Sequence, residues 1–84
     1  MAPSDPDPVA VDHAFGRVLR ELRTQSGLSQ EALGLEVKSG RTYISQLERG
    51  ERGATLKTLF RLARQLDVRP SDIVRQVEEE VGWD

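Results

Sequence analysis

The sequence predicts an all-α domain of five helices, and three observations support this prediction. Apolar residues recur at intervals of three and four along most of the chain, which places them on one side of a helix. Residues that favour helix starts precede these segments, and residues that end helices follow them. The 84 residues are enough for one small domain with a modest core.

The first helix is predicted from Pro8 to Gln25. Asp7 is suited to the N-cap and Pro8 to the first helical position. The residues that recur at helical spacing are Val11, Phe15, Val18, Leu19 and Leu22. Residues 1–7, which are rich in proline and aspartate, are predicted to be a disordered acidic tail.

The second and third helices are predicted within residues 28–50, LSQEALGLEVKSGRTYISQLERG. One spans Gln30–Val37 after an N-cap serine, and the other spans Arg41–Arg49 before a terminating glycine. Residues 38–40 form the tight turn between them. The third helix turns its two aliphatic residues to one side and leaves a polar face rich in hydrogen-bond donors, which suits contacts with base edges and phosphates.

The last two helices complete the predicted core. The fourth spans Leu56–Leu66 after the N-cap Thr55, and its predicted buried stripe is Leu56, Leu59, Phe60, Ala63 and Leu66. The fifth begins at Pro70, and its apolar stripe is Ile73, Val74, Val77 and Val81. The first two members complete the core, whereas Val77 and Val81 extend past what one small domain needs to cover.

The charge distribution favours an anionic partner despite a net charge of −2. Residues 13–69 hold eleven basic and six acidic residues, whereas both ends of the chain are acidic. An enzyme is the weakest class, because the single histidine supports no catalytic constellation. Without cysteine, and with one histidine, neither a metal nor another cofactor is expected. No membrane-length apolar run or secretory signal is present, so a cytoplasmic protein is expected.

The segment LSQEAL, a turn and RTYISQLERG resemble the helix-turn-helix of lambda-repressor and Cro-type regulators, the XRE family. The resemblance extends from about Phe15 to Val74 and implies a five-helix lambda-repressor-like DNA-binding domain, bacterial or phage-encoded. Helix three, residues 41–49, would then enter the major groove of double-stranded DNA as the recognition helix. The turn departs from the family pattern, because Lys38 stands where a glycine is usual. Lys38 must therefore adopt a left-handed conformation, or the turn takes another shape.

The resemblance also implies roles for individual residues. Arg41, Thr42 and Gln46 match family positions that contact bases, and Gln30 matches a glutamine that contacts phosphate. Arginine can bind guanine and glutamine can bind adenine through two hydrogen bonds each, which agrees with these roles. From position and chemistry, base contact is also expected of Ser45, and phosphate contact of Tyr43, Arg49 and Arg52. For any one of these side chains, a solvated helix face is the alternative. Arg23 and Glu48 are expected to form a partly buried structural ion pair.

Two functions follow from these observations. The first is a sequence-specific regulator, a repressor or autoregulator, that binds double-stranded DNA as a homodimer. Its domain spans residues 8–77, and the acidic tail 78–84 can join a dimer interface formed by Val74, Val77, Val81 and Trp83. Trp83 folded onto its own domain is the alternative. The second function is a protein-interaction module of the same fold, an antitoxin or a coactivator-like adapter. Such a module would tolerate Arg41→Ala and Gln46→Ala, whereas a DNA reader would not.

Overall fold

The computed structural model describes residues 5–83, and in this range the chain forms five α-helices. Their bounds are α1 Pro8–Gln25, α2 Gln30–Glu36, α3 Gly40–Glu48, α4 Leu56–Gln65 and α5 Pro70–Val81. The all-α, five-helix prediction is confirmed. Parts of the predicted tails, residues 1–4 and residue 84, lie outside the described residues.

The helix boundaries differ from the predicted ones by a single residue. α2, α3 and α4 each end one residue early, because the last predicted residue is the C-cap in each case. The helix predicted to be the recognition helix therefore spans 40–48 and not 41–49. Side chains cap three of the N-termini as predicted. Asp7 accepts from the N–H of Val9 at 2.9 Å, and the Ser29 hydroxyl accepts from the N–H of Ala32 at 3.0 Å. Thr55 caps α4 in the same way.

One apolar core holds the helices together. α1 contacts α3 and α5, α2 packs against α3, and α4 contacts α2 and α5. The largest fully buried side chains are Leu19, Leu33, Val37, Ile44, Leu47, Leu62 and Ile73, which come from all five helices. The two aliphatic residues of α3 are in this set, so α3 is fixed in orientation by burial of one face.

The predicted buried stripe of α4 is wrong at two positions. Leu56 and Phe60 are 70% and 57% exposed, whereas Leu62, which was not predicted to be buried, is fully enclosed. Two overlapping apolar stripes can be drawn along this helix at spacings of three and four. The core takes the stripe through Leu59, Leu62, Ala63 and Leu66. Leu56 and Phe60 lie at its edge and form an apolar surface that residues 5–83 leave exposed.

In the turn between α2 and α3, Lys38 adopts the left-handed conformation, which is one of the two possibilities that the sequence left open. Lys38 has φ 60°, and Gly40 has φ 83°. The two helices approach each other closely at Gly34, where an added Cβ would lie 2.4 Å from the carbonyl carbon of Gly40. A residue without a side chain is therefore needed at position 34, because α2 and the start of α3 are in backbone contact there.

Candidate nucleic-acid interface

The outer face of α3 is polar because its inner face is fully used by the core. Arg41 and Thr42 are exposed at its first turn, and Ser45 and Gln46 are half-buried one turn later. All four residues predicted to contact bases therefore lie on the side of α3 that faces away from the buried aliphatic residues. The helix presents a short row of hydrogen-bonding side chains to the solvent.

An open cleft of about 580 Å³ lies beside this face. α1, the start of α2 and the outer side of α3 all contribute to its walls. The lining residues are Arg20, Arg23, Ser29, Gln30, Glu31, Arg41, Ser45, Glu48 and Arg49. The structure thus brings together four of the predicted DNA-contacting residues. Gln30 begins α2, Arg41 and Ser45 lie in α3, and Arg49 is the C-cap of α3. The cleft carries four arginines, so it is suited to an anionic ligand.

Arg20 is the cleft residue that sequence reasoning missed. It is exposed on α1, three residues before Arg23, and both side chains line the cleft. Residues three apart lie on the same side of a helix. Arg20 could therefore have been predicted from the expected pairing of Arg23 with Glu48, because the preceding turn of α1 must then lie beside α3 as well.

Arg23 and Glu48 join α1 to the end of α3. Arg23 donates from Nε to Oε2 of Glu48 at 2.5 Å and from Nη2 to Oε1 at 3.0 Å. Its Nη1 also donates to the carbonyl oxygen of Leu28 at 2.9 Å. The hydrogen bond with Glu48 raises the pKa of Arg23, and the charge of Glu48 adds to this, while burial acts in the opposite direction. The guanidinium of Arg23 therefore keeps its charge in a poorly hydrated position.

Gln30 belongs to the same network. Its Nε2 donates to Oε1 of Glu48 at 3.0 Å, so one amide N–H of this predicted phosphate ligand already has a protein acceptor. A glutamine amide has two N–H groups, so the second one remains able to donate to a phosphate. The contact ties the first residue of α2 to the last residue of α3 and sets the width of the cleft between them.

Tyr43, Gln46 and Arg52 form a second polar group on the other side of α3. The guanidinium carbon of Arg52 lies 4.8 Å from the centre of the Tyr43 ring, which is a cation–π contact. Nη1 of Arg52 also donates to Oε1 of Gln46 at 3.3 Å. Arg52 thereby contacts both Tyr43, which is predicted to bind phosphate, and Gln46, which is predicted to read a base. Its hydrogen bond also orients the Gln46 amide.

Arg49 differs from the other predicted phosphate ligands because a carboxylate of the same loop occupies its guanidinium. Nε and Nη2 of Arg49 donate to the two carboxylate oxygens of Glu51 at 2.5 and 3.3 Å. Nη1 donates to the hydroxyl of Ser45 at 2.7 Å. The hydrogen bond from Arg49, with its charge, lowers the pKa of Glu51 against a small opposing effect of burial.

The residues predicted to form a dimer interface divide into two groups. Val74 and Trp83 are 45% and 49% exposed, so the expectation that Val74 completes the core is wrong. Val77, which was expected to extend past the core, packs partly against it, and Val81 is half-buried. Exposed Leu56 and Phe60 of α4 were not predicted to belong to this surface. An apolar groove of about 290 Å³ at the junction of α1, α4 and α5 includes Leu56 and Val74 in its lining.

Other kinds of site find little support in residues 5–83. No three histidine, aspartate or glutamate side chains in this range are grouped so that they could hold a metal ion. In the same range, no helix combines the length and the apolar character needed to cross a membrane. The cleft beside α3 is therefore the feature from which a function is best inferred.

Comparisons with known proteins identify relatives of the whole helical domain. A helix-turn-helix family model matches residues 19–73. Control protein C.BamHI of Bacillus amyloliquefaciens is 39% identical over 61 residues, which are 71% of this chain and 75% of that protein. Control protein C.MunI of a Mycoplasma species is 33% identical over 67 residues, 79% of this chain and 90% of the relative.

A solved structure gives the same result. The crystal structure of the restriction-modification controller protein C.AhdI from Aeromonas hydrophila is 42% identical to this chain. The similarity covers 80% of this chain and 97% of that one, with a TM-score of 0.76. The family-model match, residues 19–73, includes the residues that line the cleft, all of α3 and the start of α5.

Proposed function

Because this chain belongs to the helix-turn-helix family of XRE-type DNA-binding transcriptional regulators, we propose that it reads a specific double-stranded DNA sequence with α3 in the major groove. Arg41, Thr42, Ser45 and Gln46 contact base edges, and Gln30, Tyr43, Arg49 and Arg52 hold the phosphate backbone. The relatives named as control or controller proteins support a role in the control of restriction–modification genes. Action as a repressor or autoregulator, by a bacterial or phage-encoded protein of the cytoplasm, is part of this proposal.

The observation that carries this proposal is the orientation of α3. Complete burial of Ile44 and Leu47 turns the donor-rich side of the helix outward, beside a cleft with four arginines. Arginine can bind guanine O6 and N7, and glutamine can bind adenine N6 and N7, each with two hydrogen bonds. The residues on the outer side of α3 therefore have the chemistry that direct reading of base edges requires.

The proposal includes a homodimer. Apolar side chains that the described part of the chain leaves exposed include Val74 and Trp83 of the predicted interface, together with Leu56 and Phe60 of α4. A second copy docked on this surface would bury them and would place two recognition helices on one DNA duplex. Dimers of this type read two half-sites related by a two-fold axis and separated by about one helical turn.

The test is selection from a pool of random duplex DNA by the purified protein, followed by sequencing. We expect inverted half-sites whose centres lie about 10 base pairs or more apart. Arg41→Ala and Gln46→Ala are then expected to lose discrimination at separate positions of each half-site, because each bidentate contact contributes about 1–3 kcal/mol. Arg64→Ala, which removes an exposed cation from α4 outside the cleft, is the matched control.

The outcome also distinguishes a DNA-reading regulator from the second function considered, a protein-interaction module of the same fold. Unselective binding by a folded protein, or binding that survives both substitutions with its sequence preference intact, would contradict the proposed reading of bases. An antitoxin or adapter in which α3 has no DNA partner would then be the function to pursue, with a protein partner as its ligand.

A further inference from the structure

The loop after α3 places an acidic residue between two cations assigned to DNA phosphates. Glu51 lies between Arg49 and Arg52, and its carboxylate receives two hydrogen bonds from the Arg49 guanidinium. A carboxylate and a phosphate both offer paired oxygens that match the fork of an arginine. Glu51 therefore occupies the position on Arg49 that a DNA phosphate would take.

Structural stabilisation does not account for this pair. The Arg49 and Glu51 side chains are 59% and 50% exposed, and exposed ion pairs of this kind contribute little to folding. Their sequence positions differ by only two, so the pair does not join separate helices. The Arg23–Glu48 pair, by contrast, is largely buried and joins α1 to α3. The Arg49–Glu51 pair is therefore better explained by an effect on what Arg49 binds than by an effect on the stability of the fold.

We propose that Glu51 is an intramolecular competitor for DNA phosphate, so that binding to DNA exchanges the Glu51 carboxylate on Arg49 for a backbone phosphate. This inference rests on the proposed function, because it requires duplex DNA to reach the cleft beside α3. Glu51 is a positioning residue in this scheme: it acts through Arg49 and does not itself contact DNA.

Two consequences follow from the exchange. Phosphate contacts carry no sequence information, so Glu51 weakens binding to every duplex by the same factor and leaves the sequence preference unchanged. The exchange involves Nε and Nη2 of Arg49, whereas Nη1 donates to the hydroxyl of Ser45 on the face of α3 that reads bases. The hydrogen bond with Ser45 is therefore retained when a phosphate replaces the Glu51 carboxylate.

The test compares wild type and Glu51→Gln on a random-sequence duplex of about 20 base pairs across a range of salt concentrations. The variant is expected to bind roughly two- to fivefold more tightly at low salt, the range that corresponds to one exposed ion pair. The salt dependence should also steepen. Each phosphate neutralised by a cation adds about 0.9 to the slope, and in the wild type the freed Glu51 carboxylate takes up cations that offset part of this release. Glu79→Gln makes the same charge change on exposed α5 and is expected to bind like wild type.

A second pair of variants distinguishes competition from simple repulsion. If Glu51 acts through Arg49, the gain from Glu51→Gln disappears when both proteins carry Arg49→Ala. A gain that persists in the Arg49→Ala background, or the absence of any gain in a wild-type background that binds DNA, overturns the inference but leaves the proposed function in place. Failure of every folded variant to bind duplex DNA at low salt overturns both.

Discussion

The carboxylate of Glu48 accepts hydrogen bonds from both Nε and Nη2 of Arg23, which ties the last residue of α3 to the last turn of α1. The two side chains are 12% and 3% exposed, and Gln30 adds a third hydrogen bond to the same carboxylate. The position of α3, the proposed recognition helix, thus depends on a carboxylate that accepts three hydrogen bonds from two side chains.

Removal of one partner of this pair is expected to be costly. Arg23→Met leaves the Glu48 carboxylate buried without its cation, and losing one member of a buried pair costs about 3–5 kcal/mol. Urea unfolding of wild type, Arg23→Met and Arg23→Met/Glu48→Leu measures the effect. The double variant should recover much of the loss, since no buried charge is left without a partner. A double variant that is no more stable than Arg23→Met would contradict this account.

Lys38→Gly is expected to stabilise the domain. Lys38 is exposed and has φ 60°, a conformation that costs a residue with a Cβ about 1–2 kcal/mol but that glycine adopts freely. The greater freedom of glycine in the unfolded chain offsets part of this, so a net gain of about 0.5–1 kcal/mol is expected. Thermal unfolding provides the measurement, and Lys38→Ala, which retains the Cβ, is the control.

Gly34→Ala is expected to destabilise the domain even though alanine is the better helix former. The new Cβ would lie 2.4–2.5 Å from the carbonyl group of Gly40, and backbone cannot move aside as a flexible side chain can. Overpacking of this kind costs about 1–3 kcal/mol, which outweighs the gain of roughly 1 kcal/mol in helix propensity. An unchanged or increased melting temperature would show that α2 and α3 are free to separate.

Val74→Glu is expected to reduce self-association without unfolding the chain. Val74 is 45% exposed, so its replacement disturbs the surface more than the core. Burial of an unpaired carboxylate in a dimer interface is unfavourable. Sedimentation equilibrium should give a weaker dimer for Val74→Glu, while Leu35→Glu, at a 70% exposed apolar residue of α2, should associate like wild type. The reverse pattern would place the interface on α2.

The Glu51 carboxyl is expected to titrate below its ordinary pKa of 4.5, because Arg49 stabilises its charged form. Its favourable contribution is therefore present above the unfolded-state pKa and is lost as the pH falls through the lower folded-state value. Side-chain carboxyl NMR measures the midpoint. Arg49→Ala should return it towards the ordinary value, and an unchanged midpoint in that variant would assign the shift to another group.

The helix assignments were predictable because the signals for helix ends are local. Asp7, Ser29 and Thr55 cap helices through hydrogen bonds to residues two or three positions away, so the sequence contains both partners. The periodicity of α1 and α3 likewise identified their buried faces. In α4 the same reasoning failed at Leu56 and Phe60, since two adjacent stripes have equal periodicity and only the neighbouring helices decide between them.

The sequence by itself determined the five helices, the position of the recognition helix and the polar character of its outer face, because these depend on residues close together along the chain. Tertiary structure alone decided that Arg49 donates to Ser45 and Glu51 at once. Propensity and spacing do not specify the partner of a long cationic side chain, because a guanidinium can reach several acceptors. The folded backbone selects among those acceptors by fixing their distances.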